Sequence, residues 1–465
     1  MASKLEEQFK ELFEGFSKLT REERLQRLEK MGALTREDVQ YFMAGAPLST
    51  ALAENFIENV VGYFQMPMGI AANFVIDGKP YAIPMAVEET SIIAAASKTA
   101  KWIRETGKIR SEVVGKNIIG QIQIAKVKNF DALEKYIADN RERFIEIANR
   151  DVAQGMVVRG GGVRDVTLRR ISREEVREEG TADNFGPSMA VIHVMMDPCE
   201  AMGANIINQV CEYLKTPIQS ETGETVTMCI LSNLVDTKLT RAEVIIPSHG
   251  READLDLFKR IAEASLFAQL DPYRAATNNK GVLNGIDPIL IATGNDWRAV
   301  EAGIHAYAAR DGQYRSVTRW TVVDGHLHGV FEAPVILGTV GGVTRLHPMA
   351  RIALRLLGVE SADELSRVCA AVGLVQNLGA LKALTTIGII EGHMKLHIKN
   401  LTLGAGAEGQ EIPYVQKRLE EILAMTKRIT LSNAVDVLKE FRNRGLSKIG
   451  AGSGVPLKDA PEVNP

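Results

Sequence analysis

The fold is decided by one stretch of sequence, Met189-Ala-Val-Ile-His-Val-Met-Met196 followed by Ala201-Met-Gly-Ala-Asn-Ile-Ile-Asn-Gln-Val-Cys211. The first part is rich in apolar and β-branched residues, which is typical of a buried strand. The second part opens with small residues and continues with apolar side chains at helical spacing. The stretch therefore predicts a strand that leads into a helix.

The segments on either side extend this unit. Gly120–Ala125 alternates like a strand, 131–148 predicts a helix, the glycines at 160–162 lead into another strand, and Thr225–Ser232 predicts a last strand. The order strand, helix, strand, strand, helix, strand is that of a ferredoxin-like split βαβ unit. We therefore predict a small ferredoxin-like domain over residues 115–236, inserted into a larger domain.

The chain has 465 residues, which is too long for one simple core. We predict an α+β fold in which a large mixed domain comprises residues 1–114, with an N-terminal helical arm over 4–45, and residues 237–387. Residues 388–465 follow as a C-terminal segment that ends in a Gly/Pro-rich tail, which we expect to be disordered.

Local signals mark several element boundaries. Thr20–Glu23 and Ser361–Glu364 have the pattern of capping boxes. Asp77-Gly78 predicts the turn of a hairpin, and a helix is expected to begin at Ile92. The stretch 365–392 is rich in Ala, Leu and Gly and predicts a long helix buried on most faces.

Composition excludes several classes of protein. Apolar residues make up 45%, charged residues 24%, and the net charge is −3, which is an ordinary globular profile. No basic excess points to nucleic acid. No apolar run approaches the roughly 20 residues that span a bilayer, and no signal sequence is evident. The chain is expected to be cytoplasmic.

The sequence also lacks several standard motifs. The four cysteines, Cys199, Cys211, Cys229 and Cys369, have no CxxC spacing and are expected to be buried, reduced thiols. Neither a GxGxxG after a strand nor a P-loop signature is present. A dinucleotide would therefore be bound by something other than a Rossmann fold.

Two glycine-flanked stretches carry candidate chemistry. Asp271-Pro-Tyr-Arg-Ala-Ala-Thr-Asn-Asn-Lys-Gly281 runs into Ala292-Thr-Gly-Asn-Asp296, and Gly392-His393-Met394 follows downstream. A lysine, an aspartate and a histidine beside small residues suit a reaction that forms an oxyanion and passes protons.

Each candidate also has a plainer interpretation. Lys280 follows two asparagines, which suggests a tight loop, and a lone lysine is usually a solvated charge. Asp296 fits a turn or a helix N-cap equally well. His393 is compatible with simple packing, and its spacing to His397 lacks the further ligands of a zinc site, so we expect no metal.

Glu89 and the glycine-rich segments also have two interpretations each. An acid at a helix start favours the helix dipole, but Glu89 lies in an apolar stretch where a desolvated carboxyl has a raised pKa, as a proton donor requires. Ala201–Asn205 suits either phosphate binding at a helix N-terminus or close helix–sheet packing. Residues 160–162 and 341–342 suit phosphate loops or turns.

Taken together, these stretches resemble class II 3-hydroxy-3-methylglutaryl-coenzyme A (HMG-CoA) reductases, the soluble prokaryotic form. Any one motif is weak, but all occur in the order of the family over residues 50 to about 400. The segments that carry the resemblance are Glu58-Asn-Val-Val-Gly62, Val87-Glu-Glu-Thr-Ser-Ile92, Glu200-Ala-Met-Gly-Ala-Asn205, Asp271–Asn284, Ala292-Thr-Gly-Asn-Asp-Trp297, Gly338-Thr-Val-Gly-Gly342 and Gly392-His-Met394.

The resemblance implies a reaction and four catalytic roles. HMG-CoA is reduced in two hydride steps to mevalonate and free coenzyme A. Lys280 would stabilise the oxyanion, Glu89 would protonate the aldehyde oxygen, and Asp296 would hydrogen-bond to both. His393 would protonate the leaving thiolate. The same chemistry run oxidatively, in mevalonate catabolism, is the alternative.

The resemblance also implies binding residues. Arg274, Ser91 and Asn284 match substrate positions, and Arg274 suits the free carboxylate of the substrate. The implied cofactor is NADH or NADPH. Asp151 would hold the ribose 2′-hydroxyl of NADH, or Arg150 or Arg159 would instead bind the 2′-phosphate of NADPH. The family commonly has Asp in place of Glu200. The matched cofactor-binding positions are Asp151, Glu200, Met202, Gly203, Ala204, Asn205 and Asn233.

The resemblance also implies an oligomeric state and a mobile segment. The resemblance implies a homodimer, or an assembly of dimers, with active sites at the interface and Glu58–Gly62 contributing to it. Residues after about 388 would form a mobile flap that carries His393 over the substrate. The serine that is phosphorylated in the vertebrate class is replaced here by Lys399.

Overall fold

The computed structural model describes residues 13–173, 186–386, 389–426 and 428–449, of which 389–396 and 444–449 are described by their backbone alone. The chain divides into two compact units, residues 1–385 and 386–465. The first contains all the described strands, and the second is helical. The mixture confirms the predicted α+β class.

The described N-terminal region is helical, as predicted. A 3-10 turn at Phe16–Lys18 precedes helices α1 (Arg21–Lys30), α2 (Arg36–Met43) and α3 (Thr50–Ala53). The Thr20 side chain accepts from the Glu23 amide and the Glu23 carboxylate accepts from the Thr20 amide. This is the predicted capping box, in which two otherwise unpaired amides are satisfied.

A hairpin and a helix follow. Strands β1 (Met68–Ile76) and β2 (Lys79–Ala86) pair antiparallel, and helix α4 spans Ile92–Thr106. Asp77 and Gly78 join the strands, both with positive φ (51° and 80°), as a type I′ turn requires. The predicted hairpin and the predicted helix start are both confirmed.

A four-stranded antiparallel sheet supports the large core. Its order is β3-β8-β10-β9, where β3 is Lys108–Gly115, β8 Lys238–Pro247, β9 Thr318–Val323 and β10 His326–Ala333. Helices α9 (Glu252–Leu270) and α10 (Pro272–Ala292) belong to the same core. Trp320, Phe258 and Phe331 are fully buried there, and burial of such large aromatic surfaces is a major stabilising contribution.

A second four-stranded sheet has its own core. Its elements are β4 (Ile118–Ile124), α5 (Phe130–Asp139), α6 (Arg141–Asp151), α7 (Gln154–Val158), β5 (Gly162–Ser172), β6 (Ser188–Asp197), α8 (Ala204–Thr222) and β7 (Met228–Ser232). The strand order β5-β6-β4-β7, all antiparallel, is that of a ferredoxin-like unit. The single helix predicted over 131–148 is wrong, because the chain breaks at Asn140 into α5 and α6.

The prediction of a tight loop around Lys280 is also wrong. Lys280 lies in the middle of α10, which is capped by the Asp271 side chain and begins with Pro272. The preceding asparagines are buried and bond to other segments: Asn278 donates to the Ser316 hydroxyl, and Asn279 donates to the Arg315 carbonyl. They satisfy tertiary partners instead of forming a turn, so packing overrides their loop preference.

The remaining helices of the first unit are α11 (Trp297–Ala308), α12 (Gly342–Leu346), α13 (Pro348–Leu357) and α14 (Ala362–Thr385). The Glu364 amide donates to the Ser361 hydroxyl as predicted, but the Glu364 carboxylate accepts from the Glu360 amide and from Lys79 and Tyr81. Only half of the second capping box is therefore formed.

Helix α14 is the central helix of the large core. Among the described helices it alone is long and apolar enough to cross a membrane, but 67% of its apolar window is buried in the molecule. It is therefore an interior helix, as predicted. It ends at Thr385 and not at residue 392.

The second unit contains α15 (Ile389–Gly404), α16 (Glu411–Thr426) and α17 (Leu431–Ile449). The sequence predicted one helical region over 412–443, whereas the structure has two helices there. They surround a small core that includes Ile398, Val415, Leu419 and Ala434. The predicted disordered tail lies outside the described residues.

Candidate active site

Lys280 and Glu89 meet at the surface of the first unit. Lys280 projects from the middle of α10, and Glu89 lies in the short turn between β2 and α4. The Lys280 Nζ is 3.4 Å from the Glu89 Oε2, and their side chains are 64% and 43% exposed. The structure thus joins two residues that are 191 positions apart in sequence. The prediction that Glu89 is desolvated is wrong in the single chain, because its side chain is open to solvent.

The turn that holds Glu89 has an unusual backbone. Ser91 adopts a left-handed conformation with φ of 76° immediately before α4, which is uncommon for a residue other than glycine and costs conformational energy. Its carbonyl accepts from the Ala95 amide and begins the helix. This fixed turn places Glu89 and Ser91 at the start of one helix.

Asp296 has partners of its own. It is the N-cap of α11, where its Oδ1 accepts from the Ala299 amide at 3.1 Å and lies 3.6 Å from the Arg298 guanidinium. Of the two interpretations left open by the sequence, the N-cap is confirmed. In the described residues Asp296 forms no hydrogen bond to Lys280 or Glu89, so the bridge expected from the resemblance is not formed here.

Two further candidates share α10 with Lys280. Asn284 lies four residues after Lys280 and therefore on the same helix face, where it is half-buried. Arg274 lies in the first turn of the helix, where its amide donates to the Asp271 carboxylate. The Arg274 side chain is half-buried, and this burial lowers the pKa of the guanidinium. A half-buried cation of this kind is well suited to an anionic group.

Three glycine-rich motifs converge beside Asp296. The Thr339 amide donates to the Glu200 carbonyl at 3.0 Å, and the Gly338 amide donates to the Asn295 Oδ1 at 2.8 Å. A side chain at Gly338 would come within 2.7 Å of the Met202 amide nitrogen. Glycine is therefore needed at residue 338 because two backbone segments approach so closely.

One of the two interpretations of the 201–205 segment has direct support. Gly203 precedes α8 with φ of 92°, and a Cβ there would lie 2.4 Å from Ile118 and 2.8 Å from Pro198. Close packing thus accounts for Gly203. Phosphate binding stays a prediction, because the first amides of any helix lack partners within the helix and suit an anionic group. Met202, Ala204 and Asn233 line a mainly apolar cavity beside the first turn of α11.

Asp151 is a fixed anion at the end of α6. Its two carboxylate oxygens accept from Arg150 at 2.7 and 2.8 Å, and one accepts from the Tyr213 hydroxyl at 2.5 Å. The hydrogen bonds from Arg150 and then from Tyr213 lower the pKa of Asp151 to about 2. Arg150 is thus paired with Asp151 in the molecule.

Comparisons with known proteins agree with this arrangement. The family model for hydroxymethylglutaryl-coenzyme A reductase matches residues 20–398. A 3-hydroxy-3-methylglutaryl-coenzyme A reductase from Archaeoglobus fulgidus is 42% identical over 92% of this chain and 94% of the relative. This chain belongs to the hydroxymethylglutaryl-coenzyme A reductase family.

Solved structures of HMG-CoA reductases show the same fold. The 3-hydroxy-3-methylglutaryl-coenzyme A reductase of Streptococcus pneumoniae aligns with a TM-score of 0.76 and 37% identity, covering 94% of this chain and 99% of that one. A class II structure from the same organism, bound to NADPH in open conformations, aligns with a TM-score of 0.75 and 38% identity over 80% of this chain and 99% of that one. Family membership makes this chain an oxidoreductase that acts on HMG-CoA with a reduced nicotinamide cofactor.

One residue expected to act in HMG-CoA reductases lies beyond the described side chains. His393 belongs to α15, but its side chain is outside the described residues, so its role stays a prediction. His397, one turn later, is exposed.

Two half-buried acids, Asp287 and Glu301, were not among the residues expected from the sequence. Asp287, on α10, has an enclosed Oδ1 with no donor among the described residues. Burial first, and then the nearby Glu301 carboxyl of α11, raise the pKa of Asp287 to about 8. Two neighbouring carboxyl groups away from solvent repel each other when both are ionised, which favours a proton on Asp287. The only sequence signal was an acid in the apolar run before Pro288.

Proposed function

We propose that this chain reduces HMG-CoA to mevalonate and coenzyme A, using two molecules of NADH or NADPH and two protons per turnover. The observation that carries the proposal is the 3.4 Å approach of Lys280 to Glu89, on motifs that match a family of this activity over residues 20–398. A fixed cation beside a carboxyl group provides both an oxyanion partner and a proton source.

The reaction creates negative charge on the same oxygen twice. When bound, two molecules of reduced nicotinamide would supply one hydride each, the first to the thioester carbonyl carbon and the second to the aldehyde carbon. Lys280 binds the developing oxyanion in each step, because its compact ammonium group concentrates charge at one point. Glu89, in contact with Lys280, delivers the proton that converts the aldehyde oxygen to the hydroxyl of mevalonate.

Collapse of the hemithioacetal between the two reductions breaks the carbon–sulfur bond. The departing thiolate needs a proton that does not come from the Lys280–Glu89 pair, and we assign this role to His393. We assign Asp296 the role of tuning Lys280 and Glu89 once substrate is bound. Its present bond to the Ala299 amide would have to weaken for this role.

Substrate and cofactor are assigned to separate parts of the first unit. Arg274 would bind the free carboxylate of the HMG group, with Ser91 and Asn284 bonding to its oxygens. The cofactor would lie against Met202–Asn205 and Asn233, with Asp151 toward a ribose. Gly341 and Gly342 have open space at their Cα atoms, which leaves their backbone accessible to a ligand. The related reductase bound to NADPH supports this choice of cofactor.

The assembly and the location are also part of the proposal. We expect a homodimer that buries the segment around Glu58–Gly62, since Val61 and Phe64 are 104% and 92% exposed in the single chain and large exposed apolar side chains mark interaction surfaces. Residues 115–236 would act as the cofactor domain, and residues from 388 as the flap. The cytoplasm is the expected compartment.

Absorbance of the reduced nicotinamide tests the function directly. Purified protein should consume two NADH or two NADPH per HMG-CoA, and mevalonate with coenzyme A and the oxidised cofactor should run the reverse reaction. Mevaldehyde should consume one cofactor. No consumption with any of these substrates would leave a protein that has the family fold without the activity.

A further inference from the structure

We propose that Glu200 is a positioning residue that fastens the cofactor segment 200–205 to the N-terminus of α14. Its Oε2 accepts from the Ala362 amide at 2.5 Å and lies 3.4 Å from the Thr339 hydroxyl. The resemblance instead predicts that Glu200 contacts the cofactor. This inference rests on the proposed function, because it concerns the cofactor of that reaction.

The bond from the Ala362 amide to Glu200 satisfies a donor at the N-terminus of α14. The first amides of α14 have no partners within the helix. Ser361 satisfies the Glu364 amide, and Glu200 satisfies the Ala362 amide. A carboxylate at a helix N-terminus also interacts favourably with the helix dipole. Ala362 is buried, with 2% of its surface exposed, so its amide depends on a partner from within the protein.

The same contact continues toward the catalytic candidates. The Glu200 carbonyl accepts from the Thr339 amide. The amide of the preceding residue, Gly338, donates to the Asn295 side chain. Asn295 directly precedes Asp296. The Asn295 side chain also donates to the Thr293 hydroxyl at 3.0 Å. Fixing Glu200 therefore fixes the cofactor segment relative to the start of α11.

The length of the side chain at position 200 distinguishes a positioning role from a direct contact with the cofactor. The family commonly has aspartate in place of Glu200, and aspartate is one methylene shorter. If Glu200 only touched the cofactor, the family residue would serve at least as well. If Glu200 holds the Ala362 amide, aspartate falls short, whereas glutamine keeps both the length and an acceptor oxygen.

Amide hydrogen exchange of the protein without cofactor tests the contact by itself. We expect exchange at the Ala362 amide to be at least tenfold faster in Glu200→Ala and Glu200→Asp than in the wild type, and within threefold of the wild type in Glu200→Gln. Equal exchange in the wild type and Glu200→Ala would overturn the proposal, whether or not the protein has reductase activity.

Cofactor binding, followed by nicotinamide fluorescence, tests the consequence. We expect the Kd for NADH or NADPH to rise on the order of tenfold in Glu200→Asp and less in Glu200→Gln. Ala362→Pro removes the donor without touching Glu200, at the first helical position, where proline is well tolerated. It should raise the Kd to the same extent, and Ala362→Gly, which keeps the amide, should not.

The variants should also be non-additive. Combining Glu200→Ala with Ala362→Pro should raise the Kd no further than either change alone, because both break one bond. Tighter binding by Glu200→Asp than by Glu200→Gln, or additive effects of the two changes, would contradict the proposal. If Ala362→Pro fails to fold, the comparison of Asp with Gln still decides. A wild type that binds neither dinucleotide would instead refute the proposed function.

Discussion

Lys280 and Glu89 form an ion pair of 3.4 Å in which both side chains remain open to solvent. Exposed pairs of this kind contribute little to stability, typically below about 1 kcal/mol. Their proximity is therefore not explained by a need of the fold, which is consistent with a pair kept for chemistry.

Substitution of Lys280 should separate catalysis from folding. Lys280→Ala should lower kcat by about a hundredfold or more, because the oxyanion loses its cation, while Tm changes little for an exposed site. Lys259→Ala, which removes an exposed lysine from the neighbouring helix α9, is the control and should retain activity. A rate for Lys280→Ala within about tenfold of the wild type would refute the assigned role.

Local signals predicted the parts of the fold that local physics determines. The Asp77-Gly78 turn could be predicted because both residues tolerate a positive φ, and the structure has 51° and 80° there. The Thr20–Glu23 capping box needs only residues three apart. The order of strands in the second sheet followed from the order of the segments.

Predictions failed where distant partners decide the outcome. Asn278 and Asn279 suggested a loop, but their amides bond to Ser316 and Arg315 from within a helix. The bond from Ala362 to Glu200 joins residues 162 positions apart, and no spacing rule predicts it. The motifs identified Lys280 and Glu89, whereas only the fold brings them together.

Asp151 should influence the choice between the two dinucleotides. Because Arg150 and Tyr213 keep this carboxylate ionised, with a pKa of about 2, it should repel a 2′-phosphate and accept a bond from a 2′-hydroxyl. Asp151→Asn should raise the ratio of kcat/KM for NADPH to that for NADH by about tenfold. Asp139→Asn, at another acid of the same region that pairs with Lys135, should leave the ratio unchanged. If the NADPH-to-NADH ratio of kcat/KM is unaltered in Asp151→Asn, another residue determines the choice of dinucleotide.

The exposed segment around Val61 should be covered in solution. Phe64→Asp should convert a dimer to monomers, measured as a halved mass by light scattering, because a charge in an apolar interface is strongly unfavourable. Val323→Asp changes an apolar side chain that is 45% exposed on β9 and should leave the mass unchanged. A wild type that is monomeric at micromolar concentration would contradict the proposed assembly.

His393 should matter only when a thiolate leaves. His393→Gln should slow the reduction of HMG-CoA far more than the reduction of free mevaldehyde, since mevaldehyde carries no sulfur. The measurement compares kcat for the two substrates in the wild type and the variant. Equal losses on both would show that His393 acts in a step that the substrates share, such as closure over the site.

The Asp287–Glu301 pair should make stability depend on pH. Burial and Glu301 raise the pKa of Asp287 from 3.8 to about 8, so between these values the folded chain holds a proton that the unfolded chain has lost. The contribution of this group to the free energy of unfolding is fully present below the unfolded pKa. It falls as the pH rises toward the folded pKa, by about 1.4 kcal/mol per pH unit at most.

Asp287→Asn keeps a donor for Glu301 and cannot ionise. The Tm of Asp287→Asn relative to the wild type should therefore increase from pH 5 to pH 8, within the window of about 4 to 8 set by the two pKa values. A difference in Tm that does not change with pH would mean that Asp287 is ionised in the folded protein.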